Sequence, residues 1–469
     1  MRSAMRWMWI FAGFGVVLRC VHFLREPAVW HDEAALMLNV IGRSFGEMFG
    51  PLLHFEAAPP LFLVVERSFM YLIGDGPSSL RLFPFLCSCL SVVFFALLAR
   101  KVLKPRAAMW AVLLFACSDR LLWHCCEAKP YAVDTFVGVL IGWMFVSAWQ
   151  GSFARWTFAL AIVAPIMLWM VFPACFLFGG VLVALLPKLR QSRRPIDWIA
   201  YVMLAITVGV GFLTLYFGPI RAQRCGPMDG CWGGLMADWS RPWHMPLWSL
   251  ASTLEVVRYI LQPVGQLLVG VLAFGAVAMW RSGQRDLVLV FLTPILLVFF
   301  AACIRAYPYG CSRIIVFNAS GIVLLIAAGI EPTRQWLANR TRYANVLMII
   351  LLMIPVAQGI GRTIQPWDRE ETDIASEYVV EHIRPGEQIA FRSWEYEYYF
   401  RQLPVAPFYC IGDRMPDGPR VWVVVSSSRR ETCDALIDEI ASGWKVLHRR
   451  DFRASTAVLL ERSRLPNGS

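Results

Sequence analysis

Three observations predict an all-α polytopic membrane bundle of about eleven spanning helices, with interfacial helices in the first outside loop and a small C-terminal α/β domain. The 469-residue chain is 58% hydrophobic and only 16% charged, whereas soluble domains carry about 25% charged residues. Its mean hydropathy is +0.54, and its apolar runs recur near the length of about 20 residues that takes a helix across hydrocarbon. The formal charge of +11 is scattered through short segments between those runs, as expected of topology determinants and not of a nucleic-acid face. A soluble globular enzyme is thereby excluded.

Taken in order, the runs nearly free of charge cover 5–24, 82–98, 107–123, 132–149, 156–171, 173–186, 198–217, 256–280, 287–304, 314–330 and 344–360. The stretch 156–186 is too long for one span, and Pro165 and Pro173 divide it into two short ones. The first run lacks a small-residue cleavage site and is expected to remain as an anchor.

With the amino terminus inside, Arg2, Arg6, Arg100, Lys101, Lys104, Arg106, Arg155, Lys188, Arg190, Arg193, Arg194, Arg281, Arg285, Arg334, Arg340 and Arg342 all fall on one side. The positive-inside rule makes that side cytoplasmic. The outer side receives 25–79, 125–131, 218–255, 305–313 and everything beyond 360. Within the first of these loops, 59–74 is apolar but short and carries Glu66 and Arg67, so it reads as a helix lying in the interface. The expected location is a multi-pass protein of the inner (plasma) membrane, N-terminus cytoplasmic and C-terminal domain extracytoplasmic.

Composition divides the chain into a transmembrane domain, 1–361, and a soluble-type domain, 362–469. In the latter, 368–383 and 429–441 have helical spacing, while 388–391, 421–426 and 456–460 read as strands. No glycine-rich phosphate loop accompanies them. Most of the thirteen cysteines lie in apolar runs, where Cys behaves as a small hydrophobe. Cys225 and Cys231 share an outside loop and could form a disulfide. No spacing resembles a zinc site.

The chemistry gathers on the outer side. Asp32 and Glu33 follow the first span, and His54 and Glu56 stand further along that loop. Glu127, Lys129, Tyr131 and Asp134 cluster at the start of a later span, where ionisable groups are costly and therefore paired or functional. Arg305, Tyr307, Tyr309 and Arg313 occupy a tight loop, and Arg matches phosphate geometry. Each feature has a plainer reading: solvated loop charge for the acids, a Glu127 to Lys129 loop pair, and interfacial anchoring by Tyr and snorkelling Arg. Together they supply what transfer of a sugar from a membrane-held phosphate requires: a carboxylate as general base and cations for the departing phosphate.

In this order and at these positions the sequence resembles the polyprenyl-phosphate-sugar-dependent GT-C glycosyltransferases, the group that includes protein O-mannosyltransferases and the lipid A aminoarabinose transferase. The resemblance rests on Asp32-Glu33, Pro59-Pro60-Leu61, Leu80-Arg81-Leu82-Phe83-Pro84, Glu127-Ala128-Lys129-Pro130-Tyr131-Ala132-Val133-Asp134 and Tyr307-Pro308-Tyr309-Gly310, and covers roughly residues 5–360. It implies a lipid-linked donor, an outward site, Asp32 as base with Glu33 beside it, and Asp134 as the second acid with Glu127 as rival. Lys129 stands where the family often has Arg.

The reading that follows is an integral membrane glycosyltransferase, in contact with membrane lipids and with no nucleic-acid partner, that moves one hexosyl or pentosyl unit from a polyprenyl phosphate to a lipid, glycan or protein hydroxyl on the extracytoplasmic side with inversion. Catalysis is expected from Asp32, Glu33, Asp134 and Glu127. Donor phosphate contacts are expected from Lys129, Arg305, Arg313 and Tyr131, and substrate contacts from His54, Glu56, Tyr307 and Tyr309. The sequence establishes no cofactor; a divalent metal ion is left open, with His54 and Glu56 a thin signal for one. The alternatives are a transporter or lipid flippase and a non-catalytic scaffold.

Overall fold

The computed structural model describes residues 2–224, 230, 232–338, 340–403, 408–409, 415–427 and 429–462. Cys225 and Cys231, and hence their disulfide, lie outside the described residues. The chain divides into two compact units, one of residues 1–25 with 43–366, the other of 26–42 with 367–469. The second unit is thus discontinuous: it takes in the helix that carries Asp32 as well as the C-terminal sheet.

The first unit is helical. Among the described residues nine helices are long and apolar enough to cross a membrane, or ten if one bent pair counts as a single span. They include α1 (Arg2–Leu24), α4 (Pro77–Val102), α7 (Tyr131–Gln150), α8 (Phe153–Met170), α9 (Ala174–Gln191) and α10 (Pro195–Leu215). Residues 156–186 do form two helices, α8 and α9, with Val171 already extended between them. The short α3 (Pro60–Ile73) begins with proline at its first turn and ends at Gly74, φ 131°, a backbone angle that glycine adopts without strain.

Two runs expected to be single spans are broken, and at one point of contact. The run 107–123 folds as α5 (Pro105–Ala116), too short to cross, followed by α6 (Asp119–Trp123). The run 256–280 is split between α11 (Met245–Ile260) and α12 (Val269–Arg281), within a pair bent by 107°. Backbone groups freed by a break must find partners when water is absent. Ser118 Oγ supplies one, donating to the carbonyl of Ile260 at 2.7 Å. The Ala116 carbonyl at the end of α5 accepts from buried Arg19, whose Nε also donates to Ser88 Oγ at 2.8 Å. One α1 guanidinium thereby ties three segments together.

Beyond these lie α13 (Arg285–Cys303), α14 (Ala319–Ala338) and α15 (Ala344–Gly361). The 3-10 turn Arg313–Asn318 precedes α14 and packs against α7 at Gly138, where a Cβ would stand 2.3 Å from the Phe317 carbonyl oxygen. Glycine there permits the close approach that carries Arg313 to the start of α7.

In the second unit, α2 (His31–Gly42) joins α16 (Thr372–His382), α17 (Trp394–Phe400), α18 (Arg430–Ile440) and a five-stranded sheet in the order β2-β1-β3-β5-β4. The strands are β1 (Gln388–Phe391), β2 (Phe408–Tyr409), β3 (Arg420–Ser426), β4 (Trp444–Phe452) and β5 (Ser455–Arg462). β1 runs parallel to β2 and β3, and β5 antiparallel to β3 and β4. Val421, Val423, Val425, Val458 and Leu460 face Cys433, Ile437 and Ile440 of α18 on one side. Trp422 and Val424 face Ala375 and Val379 of α16 on the other. Three strands and two helices match the sequence expectation. β4 escaped it because its middle residues are solvent-exposed on both faces, which leaves no alternation to read.

Candidate functional site

The segment between α6 and α7 is where the first unit buries its chemistry. Trp123 and His124 precede Glu127 by four and three residues, so a helical turn brings both onto its carboxylate. Trp123 Nε1 donates to Oε2 at 3.0 Å, and His124 Nδ1 lies 2.5 Å from Oε1. The other ring nitrogen of His124 is 3.0 Å from the Tyr259 hydroxyl of α11. A proton on Nδ1 directed at the carboxylate leaves Nε2 to accept from Tyr259. Glu127 is completely buried and His124 nearly so, so this relay is a satisfied network and its carboxylate is occupied.

Lys129 lies two residues on. Its Nζ donates to Glu56 Oε2, and the two side chains are only 3% and 13% exposed. Taking a lysine out of water costs several kcal/mol unless it is paired, and Glu56 provides that pairing. Tyr131 opens α7 with its ring 5.0 Å from that of His124, and the Arg313 guanidinium sits 5.6 Å from the Tyr131 ring centre. Asp134, one turn into α7, is 4% exposed, and its Oδ1 has no hydrogen-bond partner among the described residues.

A pocket of about 380 Å³ opens here, lined by Trp232, Tyr259, Cys311, Ser312 and Arg313. Arg313 is also 5.8 Å from the Trp232 ring, and Arg120 lies 5.5 Å from that of Tyr259. The lining brings one guanidinium, a phenol and a serine hydroxyl to one opening, groups able to donate hydrogen bonds to an anion. The volume falls within the range of ligand pockets.

The remaining residues singled out from the sequence lie elsewhere. Arg305, exposed and at φ 57°, gives its Nη1 to the Ala237 carbonyl at 2.8 Å and does not line the pocket. Tyr307 donates to the Ile314 carbonyl at 3.1 Å. Tyr309 is 2% exposed and bonded to Thr253 Oγ1 at 3.0 Å. Arg305 thus ties its loop to the loop at Ala237, Tyr307 to the following 3-10 turn, and Tyr309 to α11. His54 is half-buried with φ 59°. Among the described residues no three His, Cys, Asp or Glu side chains converge as metal ligands would.

Asp32 and Glu33 belong to the second unit, in the first turn of α2. Asp32 is half-buried. Glu33 is fully buried, its Oε2 3.3 Å from Arg369 Nη1.

Sequence reasoning missed His124, Trp232, Tyr259 and Arg369. His124 had a readable signal, its spacing of three from Glu127, but two cysteines between them made the stretch look apolar. Tyr259 and Arg369 come from distant parts of the chain and left no local trace.

A profile of the dolichyl-phosphate-mannose-protein mannosyltransferase family matches residues 57–217. The fold is similar to that of ArnT from Cupriavidus metallidurans bound to undecaprenyl phosphate, at a TM-score of 0.59 and 13% identity over 98% of each chain. The apo form of that ArnT gives 0.56 at the same identity and coverage. The oligosaccharyltransferase AglB from Archaeoglobus fulgidus, in complex with an inhibitory peptide and a dolichol-phosphate, gives 0.48 at 11% identity, over 98% of this chain and 75% of that one. No curated protein sequence matches.

Proposed function

Taking as premise that this is a membrane protein of the GT-C glycosyltransferase fold, we propose that it transfers one sugar from a polyprenyl phosphate to an acceptor hydroxyl on the extracytoplasmic side. The observation that carries this reading is the Arg313-lined pocket, backed by the buried Tyr259–His124–Glu127 relay. An anionic phosphate suits the guanidinium and hydroxyl lining, and undecaprenyl phosphate is the ligand of the ArnT structure.

In the proposed reaction Asp32 takes the acceptor proton. The acceptor oxygen bonds to the anomeric carbon as the bond from that carbon to the phosphate oxygen breaks. Attack from the face opposite the phosphate inverts the anomeric configuration. Arg313 meets the charge that develops on the departing phosphate. The basic loops, including Arg100, Lys101, Lys104 and Arg106, orient the chain with its N-terminus in the cytoplasm.

A second assignment of the base has its own support: the buried Asp134 carboxylate, with an oxygen that has no partner among the described residues. Two variants of the purified protein separate the possibilities, assayed with the polyprenyl-phosphate-sugar fraction extracted from the producing cells. Asp32→Asn is expected to lower kcat by about 10²–10⁴-fold, the usual yield of a general base. Full activity in Asp32→Asn with loss in Asp134→Asn would move the base to Asp134. Absence of turnover in the unmodified protein, together with passage of that lipid across a vesicle bilayer, would favour a flippase. A product of retained anomeric configuration would sink the single-displacement step.

A further inference from the structure

The second unit consists of a C-terminal α/β body and a detached piece of the first loop, 26–42. Polar ties between the two include bonds to Ala28, Val29, His31 and Glu33. Arg369 Nη1 donates to the Ala28 carbonyl at 2.8 Å and to Glu33 Oε2 at 3.3 Å. Thr372 Oγ1 donates to the Val29 carbonyl at 3.2 Å, and the Val29 amide donates to the Tyr399 hydroxyl at 2.9 Å. His31 stacks on Trp394 at 4.1 Å between ring centres, and its Nδ1 meets Glu395 Oε2 at 3.1 Å. Glu395 is in turn fixed by Ser426 Oγ at the end of β3.

Glu33 and Arg369 are 0% and 8% exposed, so the ion pair is buried. A buried pair adds little net stability over an apolar replacement, but removing one partner leaves an uncompensated buried charge and is strongly destabilising. Asp32 lies between His31 and Glu33 and is flanked on both sides by groups held by the C-terminal body. Two held neighbours on a helical first turn restrain the backbone at Asp32, and a misplacement of about 1 Å at a reacting group can cost about 10²-fold in rate.

We infer that the C-terminal body is the template for the Asp32 turn, with Arg369, acting through Glu33, and Glu395, acting through His31, as positioning residues for the transfer reaction. Glu33 is then a structural partner of Arg369 and takes no proton from substrate. The inference deepens the proposed function and rests on it for the role of Asp32.

The test uses the full-length protein with two readouts. Hydrogen–deuterium exchange over 27–42 reports the template without reference to catalysis. Arg369→Ala is expected to speed exchange of the α2 first turn by about tenfold or more through local opening, with Arg369→Lys recovering part of the protection. In transfer from the extracted polyprenyl-phosphate-sugar fraction, Arg369→Ala should lower kcat by about 10²-fold, as a displaced catalytic group does, with the KM for donor moving less than threefold. Glu33→Gln, which keeps the volume, should show the same pattern more weakly and covers the case in which Arg369→Ala fails to fold.

Unchanged exchange in both variants would overturn the template. Faster exchange with unchanged kcat would overturn the positioning role. If exchange responds but Asp32→Asn is fully active, the base assignment is what has failed, and the positioning role falls with it.

Discussion

Two polar segments of this chain, 124–134 in the first unit and 28–33 in the second, are held by opposite routes, the first buried throughout and the second buried only at Val29 and Glu33. Glu127 is satisfied from within its own turn, by Trp123 and His124. The side-chain bonds described for Ala28, Val29, His31 and Glu33 reach partners 336 to 370 residues away in the sequence. A local network forms as the helix forms, whereas the distant one exists only once the C-terminal sheet has folded. Damage to the first should stay within the membrane unit. Damage to the second should appear in α2 wherever in 369–399 it is introduced.

Lys129 and Glu56 test the boundary between these cases, because they are 73 residues apart yet nearly as buried as Glu127. Lys129→Ala leaves a carboxylate in a site with little water, and breaking a buried pair from one side costs about 3–5 kcal/mol. The double replacement Lys129→Met with Glu56→Leu should recover most of that, since apolar substitutes of similar volume are close to neutral. Thermal unfolding of the purified protein measures both. A loss of only about 0–1 kcal/mol in the single variant, the value of an exposed pair, would mean that water reaches the pair.

A smaller effect is expected at His124. His124→Phe removes one of the two side-chain donors to Glu127 and leaves the Tyr259 hydroxyl to find another partner. Loss of a buried partner of this kind costs about 1–3 kcal/mol. Protection of 27–42 against hydrogen exchange should not change. If it does, the two segments are coupled and the local description of the first is wrong.

The same contrast governs what the sequence made legible. Spans, basic loops and the α3 helix follow from composition along the chain, and they were readable. So was the cluster Glu127, Lys129, Tyr131 and Asp134, since its members lie on one short stretch. The breaks at Ser118 and beyond Ile260 were not readable, because each is stabilised by the other through a bond between residues 142 apart. Arg305 and Arg313 look alike in the sequence, but one is spent on a backbone carbonyl and only the other lines the pocket. Neighbouring chain cannot distinguish them. Glu33 reads as the twin of Asp32 for the same reason: its partner, Arg369, is distant and sits in a domain of unrelated composition.

The smallest effect concerns Glu370, next to Arg369. Burial, reinforced by the negative charge of Glu395, raises its carboxyl above the ordinary glutamate range, and Ser426 and His31 only partly offset this. A carboxyl with a raised pKa binds its proton more tightly in the folded state than in the unfolded chain. Its contribution to stability is therefore complete below the unfolded value of about 4.3 and is lost as pH climbs through the raised folded value. Glu370→Gln has no proton to lose. It should resist proteolysis within 367–469 a few-fold better than the parent at pH 8, and equally well at pH 4, because cleavage tracks the open population. An advantage that persisted at pH 4 would trace to packing instead of charge. A disadvantage at pH 8 would show that the ionised carboxylate is held by His31 and Ser426 strongly enough to outweigh its burial, which would add a charged group to the set that fixes the α2 turn.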